Sequence, residues 1–291
     1  MYKQIATNKR NTVIIMAVFV AIIGLIGGAV AWAVDDYWIA GWVLAISLAY
    51  AVLQYFFASR IATAMTGARQ IEKKDNRRLY NIVENLALTA GLPMPQVYII
   101  DDPAPNAFAS GRDPQHALVA ATTGLLDIMN DKELTAVMAH ELSHIKNYDI
   151  RVSTIVFGLV CIVGFISDLG FRMLWIGGNN SEDRSPVGAI ILVVTAILAP
   201  IAAAIAQMAV SRQREYLADA SAVNLTRYPE GMIDALKKLD THAQPMRRQN
   251  SATEAMYINN PLKKGAISNL FSTHPPIEKR IERLEHGKWS F

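Results

Sequence analysis

VMAHELSHIKNYD, residues 137–149, decides what kind of molecule this chain makes. It sets His140 and His144 four residues apart, with Glu141 directly after the first histidine. On a helix, positions four apart share a face, so both imidazoles can reach one ion. Zinc accepts neutral imidazole nitrogen at about 2.0–2.1 Å. The neighbouring carboxylate is then placed as general base toward water that the ion activates. So short a pattern also arises by chance, or as two surface histidines on an amphipathic helix, and its context must decide. That context is helical. Asn130 is a natural N-cap, Glu133 stands three residues on as in a capping box, and the helix should run through the quoted stretch into the apolar run beyond it.

A catalytic zinc needs a third protein ligand and an open position. No histidine follows at the metzincin spacing, which leaves a distant carboxylate. SRQREYLADAS, residues 211–221, offers Glu215 and Asp219 four apart on an expected helix. Glu215 is the better ligand candidate, and Asp219 would then accept an N–H from a ligand imidazole. Spacing alone leaves a plainer alternative open, in which both acids lie on a solvated face paired with Arg212 and Arg214.

The surroundings read as membrane. Of 291 residues, 52% are hydrophobic and 18% charged, where soluble domains carry roughly a quarter charged residues. Residues 12–34 and 38–57 are uncharged, each near the ~20 residues a spanning helix needs. Only Asp35, Asp36 and Tyr37 separate them, so they read as a hairpin. The first run exceeds the roughly 7–15 residues of a signal-peptide core, so it is expected to be retained. Residues 152–167 and 187–210 form a second apolar pair, with Pro200 tolerable inside a bundle. Lys3, Lys9 and Arg10 precede the first run. Arg60, Arg69, Lys73, Lys74, Arg77 and Arg78 follow the second, and Arg212 and Arg214 follow the fourth. This bias places the tails and the middle segment in the cytoplasm.

The expected layout is therefore an N-terminal transmembrane hairpin over 1–57, a first cytoplasmic part over 58–150, a second hairpin over 151–210 and a second cytoplasmic part over 211–291. The fold class is mainly α with a small β-sheet and four membrane-associated helices. In the cytoplasmic parts, residues 79–90 read as a helix stopped by Gly91, and QVYII and HALVAAT read as strands. DDPAPNAFASGRDP between them reads as an exposed irregular or edge segment. Residues 230–239 and 276–284 read as amphipathic helices, and the polar stretch 242–270 as a flap or lid.

Several classes of function fall away. A net charge of +3 without an aromatic-basic motif gives no case for nucleic acid. Cys161 is the sole cysteine, so no internal disulfide and no Cys-x-x-Cys metal motif can form. The apolar runs lack the paired charges of an ion path, and Asp168 should be interfacial. A scaffold with a structural zinc would ordinarily use four protein ligands, often thiolates.

Taken together, PNAFASGR, AHELSHIKNYD, SRQREYLADASA and STHPPIEKRIERL, set among these apolar runs, resemble the HtpX family of membrane-bound zinc endopeptidases, related to the CAAX prenyl proteases. The likeness covers nearly the whole chain. It implies a gluzincin-type domain facing the cytoplasm of a bacterial plasma membrane, one zinc per chain, and Glu215 as third ligand beside His140 and His144. It implies polypeptide substrates, chiefly misfolded membrane proteins, with prenylated proteins as the alternative. It also implies that Asn106 holds substrate backbone at an edge strand and that His274 steadies the oxyanion. Two bland readings stand beside these: Asn106 as a turn residue after Pro105, and His274 as a residue at a helix start. His116, His242 and His286 are expected to be surface or packing residues.

Overall fold

The computed structural model describes residues 2–33, 35–176, 212–248, 253, 256–259 and 275–287. Two long helices open the chain, α1 (Tyr2–Ala33) and α2 (Tyr37–Thr66). Asp35 turns between them at φ +54°, and the Asp36 carboxylate caps α2 by accepting the Trp38 N–H at 3.0 Å. The outer face of α2 is apolar and uncovered: Trp38 is 81% exposed, and Trp42, Leu48, Val52 and Phe56 also face outward. Soluble monomers rarely expose so wide an apolar stripe. Among the described residues, Ala40–Thr66 is the one helix found long and apolar enough to cross a membrane.

The domain that follows begins with β1 (Arg69–Gln70) and α3 (Arg77–Ala90). Asn76 caps α3 and Gly91 closes it at φ +67°, where glycine is strongly favoured. Then come β2 (Gln96–Ile100), β3 (Ala107–Gly111) and β4 (Ala117–Thr122). The sheet order is β1-β2-β4-β3, with β2 and β4 parallel and the other pairs antiparallel. After α4 (Thr123–Ile128) comes α5 (Asp131–Lys146), which carries the histidines. Its capping box forms as expected, Asn130 taking N–H groups of Lys132 and Glu133 while Glu133 takes that of Asn130. α5 lies in the core, with Leu134, Val137 and Leu142 buried against Leu79 and Val83 of α3 and Leu236 further on.

The chain continues through α6 (Asp149–Ile176), α7 (Arg212–Thr226), α8 (Pro229–Thr241) and α9 (Ile277–Glu285). α6 joins the first two helices. Ile15 and Phe19 of α1 pack on Val152, Ile155 and Val156. Tyr50 of α2 donates its hydroxyl to the Gly158 carbonyl at 2.6 Å, and the Gln54 amide reaches the Thr154 carbonyl at 3.2 Å. A β-carbon on Gly158 would fall 1.5 Å from the Gln54 amide nitrogen, so a larger residue there would have to push the Gln54 side chain off the Thr154 carbonyl.

Two expectations are corrected. The Asn106 segment is not exposed: β3 is an edge strand, yet all five of its residues are buried. Distant elements cover it. The Thr154 hydroxyl of α6 takes the Gly111 N–H at 3.2 Å, and Tyr257 pairs with Phe108 and stacks on it edge to face at 5.2 Å. Nor does α5 run on into α6. Asn147 ends it and Tyr148, at φ +61°, bends the chain before α6 starts at Asp149. The fourth apolar run, most of the polar stretch 242–270, and His274 lie outside the described residues.

Candidate metal centre

The quoted motif does what its spacing requires. His140 and His144 sit one turn apart on α5, their Nε2 atoms 3.1 Å from each other. α7 brings Glu215 across from the far side of the chain. Its carboxylate oxygens lie 3.6 Å from each Nε2 atom. All three ligand atoms fall within 4.8 Å of one another. Ligands about 2.0–2.1 Å from a tetrahedral ion stand roughly 3.3 Å apart, so this triangle has the size a divalent metal needs.

The outer nitrogens are held as well. His140 Nδ1 stands 2.9 Å from Asp219 Oδ1, and His144 Nδ1 stands 3.1 Å from Asp149 Oδ2. A carboxylate beside each Nδ1 favours the proton there, which leaves both Nε2 lone pairs for the ion. These carboxylates are anchored in turn. Arg280 of α9 grips Asp219 with two bonds, Nε to Oδ2 at 2.8 Å and Nη2 to Oδ1 at 2.6 Å, although the arginine is only 1% exposed. The Asn8 amide of α1 donates to Asp149 Oδ1 at 2.7 Å and to the Asn147 carbonyl at 2.8 Å. Helices α1, α6, α7 and α9 thus converge on the two histidines of α5.

Electrostatics point the same way. Burial works against an imidazolium at His140, but Asp219 and Glu215 outweigh it and hold its pKa up at about 9. The carboxylates favour positive charge at His140, a demand that a dication meets. Burial works against the Asp219 carboxylate too, yet Arg280 and His140 prevail and hold it near a pKa of about 2. Glu141 lies beside the triangle, buried, and its pKa is raised chiefly by desolvation. A carboxyl moved toward neutrality is suited to exchange protons at ordinary pH.

The solvated-face alternative for Glu215 and Asp219 is overturned. They are 5% and 2% exposed, and Asp219 pairs with Arg280 instead of Arg212 or Arg214. Asn106 lies at the start of β3, buried, with its amide turned to the chain's own backbone. Nδ2 donates to the Asn259 carbonyl at 2.8 Å and Oδ1 accepts the Asn259 N–H at 3.1 Å. His116, His242 and His286 are exposed, and their rings bond to Asp113 and to the Lys238 and Glu282 carbonyls. Three supporting residues had no part in the sequence reading: Asp149, Asn8 and Arg280. Asp149 closes the quoted stretch, but five residues after His144 it fits no helical face; only the bend at Tyr148 returns it. Arg280 looks like one more charge on an amphipathic helix.

Residues 73–288 match the model of peptidase family M48. Among curated proteins, the chain is 53% identical over 285 residues to a "Protease HtpX homolog" of Tropheryma whipplei (strain Twist), covering 98% of each. It is 47% identical over 294 residues to a protein of the same description from Ligilactobacillus salivarius (strain UCC118), covering 98% of this chain and 99% of that one. Among solved structures, Ste24p of S. mikatae superposes with a TM-score of 0.53 at 18% identity, over 98% of this chain and 67% of that one. At that identity the likeness concerns the fold.

Proposed function

The chain belongs to peptidase family M48 and is a membrane metalloprotease, and from that premise we propose that it is a zinc endopeptidase cutting polypeptides at the cytoplasmic face of a bacterial plasma membrane. The observation that carries the zinc reading is the triangle of His140, His144 and Glu215, with a carboxylate behind each imidazole. Two nitrogens and one oxygen leave a fourth position open, as catalytic sites do and structural ones do not. When bound there, zinc supplies a Lewis acid and lowers the pKa of water.

The chain's own residues do the rest. Glu141 takes the proton of the attacking water and passes it to the leaving amine. Glu141 is buried, and desolvation raises its pKa from the ordinary carboxylate range. Asp219 and Asp149 hold the imidazoles in one tautomer and one orientation. An extended substrate adds to the edge of β3, where backbone groups give affinity without strict sequence demand, and Asn106 is placed to take part once Asn259 yields. His274 is assigned the donor role toward developing oxyanion charge. The substrates we assign are misfolded membrane proteins and their cytosolic loops. That assignment rests on the resemblance to the HtpX family, and an apolar helix of spanning length supports it.

Glu141→Gln tests the reading. The purified wild type should cleave casein. The variant should retain about one zinc per chain and lose cleavage by roughly a thousandfold or more. Equal cleavage by both proteins would remove Glu141 from the role of general base. Zinc retained by both with cleavage by neither, under zinc-replete conditions, would point to a structural metal.

A further inference from the structure

Away from the metal centre, a second polar cavity of about 210 Å³ lies where α2 meets the sheet. Tyr55, Phe56, Arg60, Tyr98, Arg112 and Gln115 are among its lining residues. Arg60 rests 5.6 Å from the centre of the Phe57 ring, and Arg112 rests 5.0 Å from that of Phe56. Behind the cavity, Arg151 donates to the Tyr55 hydroxyl at 2.8 Å and stacks 5.1 Å from its ring. The Arg151 Nε is buried without a hydrogen-bond partner. Among the described residues, neither Arg60 nor Arg151 has a carboxylate within 4.0 Å. Arg112 shares Asp113, at 3.6 Å, with His116. Two guanidiniums therefore line the cavity, those of Arg60 and Arg112, each against an aromatic ring, with one carboxylate beside Arg112.

The depth of this cavity identifies its ligand. From Trp38 to Arg60 the rise along α2 is about 33 Å at ~1.5 Å per residue, close to the ~30 Å of a bilayer's hydrocarbon. With Trp38 at one interface, Arg60 and its cavity stand among the phosphates of the other. Phe56 and Phe57, half exposed beside the arginines, stand at the level of the upper acyl chains. Cationic side chains above apolar rings match the two ends of a phospholipid, and the cytoplasmic leaflet is the anionic one.

We propose that this cavity binds the phosphate headgroup of an anionic phospholipid, with Arg60 and Arg112 on the phosphate and the acyl chains along Phe56 and Phe57. The inference rests on the reading that α2 crosses the membrane with its Arg60 end in the cytoplasm. Arg112 directly follows β3 and Arg151 opens α6, so a lipid held here fixes how the sheet stands on the bilayer.

The test is native mass spectrometry of the full chain released from vesicles of phosphatidylcholine mixed with phosphatidylglycerol. Wild type should retain phosphatidylglycerol preferentially. The preference should fall about fivefold for each arginine removed in Arg60→Gln and Arg112→Gln, and be lost in the double variant. Arg69→Gln with Arg77→Gln, which removes the same charge elsewhere, should keep it. Equal preference in the pocket variants and this control would overturn the proposal. So would competition by inorganic phosphate alone, which would make the cavity a general anion site. Casein cleavage in phosphatidylcholine reports on folding, and the pocket variants should retain it. Carbonate extraction of membranes separates the two readings: a protein that washes off removes the spanning premise, whereas one that stays and shows no arginine dependence removes only the lipid site.

Discussion

Asp219 and Asp149 do the same job for the two imidazoles in different surroundings, and substitution should tell them apart. Either change to asparagine removes a carboxylate from a ligand Nδ1, and metal affinity should fall about 10–100-fold in both. Asp219→Asn also leaves the Arg280 charge buried without its partner. Breaking such a pair costs about 3–5 kcal/mol, so this variant should melt well below the wild type. Asp149→Asn keeps Asn8 as a neighbour but draws a carboxylate away from the buried Arg214, 3.9 Å off; without the two short bonds of the Arg280 pair, its Tm should fall less than that of Asp219→Asn. Zinc competition against a chelating dye, beside thermal melts, reads both quantities. The proton on His140 gives a second expectation. Its pKa in the metal-free fold is raised from 6.5 to about 9. That charge stabilises the metal-free protein fully below pH 6.5, and the contribution is lost as pH rises through about 9. Metal must displace this proton, so metal affinity should climb with pH, about tenfold per unit, and flatten near pH 9. A flat profile between pH 6.5 and 9 would mean that His140 is neutral in the metal-free site.

At the scale of elements, β3 matters most. Its free edge is where a peptide would add, yet the chain's own residues 257–259 lie along it. The Ile258 N–H donates to the Ala107 carbonyl at 3.0 Å, and Asn106 clasps Asn259 from both sides. A substrate adding to this edge must first displace that segment. Ile258→Pro deletes the donated N–H. Loss of one such bond, about 1 kcal/mol, should raise kcat/KM for an unstructured peptide about fivefold. A fall in kcat/KM would instead make the segment a wall of the cleft. The break between α5 and α6 belongs to this scale too. An uninterrupted helix would carry Asp149 past His144; the left-handed Tyr148 returns it to Nδ1.

At the scale of the molecule, the catalytic domain and the apolar helices are one object. Asn8 of α1 supports the metal site, and Tyr50 and Gln54 of α2 bond to the backbone of α6. The positive-inside reading then makes a topological prediction. In a Cys161→Ser background, Asp36→Cys should react with an impermeant maleimide in intact cells. Lys73→Cys should react only after the membrane is opened. The reverse pattern would turn the protease domain to the outside.

Most of the ligand set was legible in the chain itself, because the signals that carry it are local. Four-residue spacing on a capped helix aligned His140 with His144 and set Glu141 beside them. Long uncharged runs marked the apolar helices, and Gly91 marked the end of α3. Glu215 and Asp219 were visible as a pair, but their spacing left a solvated face equally open. Only the tertiary structure closed that choice, by burying both and bringing Arg280 and His140 to Asp219. The same holds for Asn8, Asp149 and the buried edge of β3. Hydropathy and helical period describe what a segment does along its own axis. Which charge meets which across the core is decided by how the helices pack, and no local pattern encodes that.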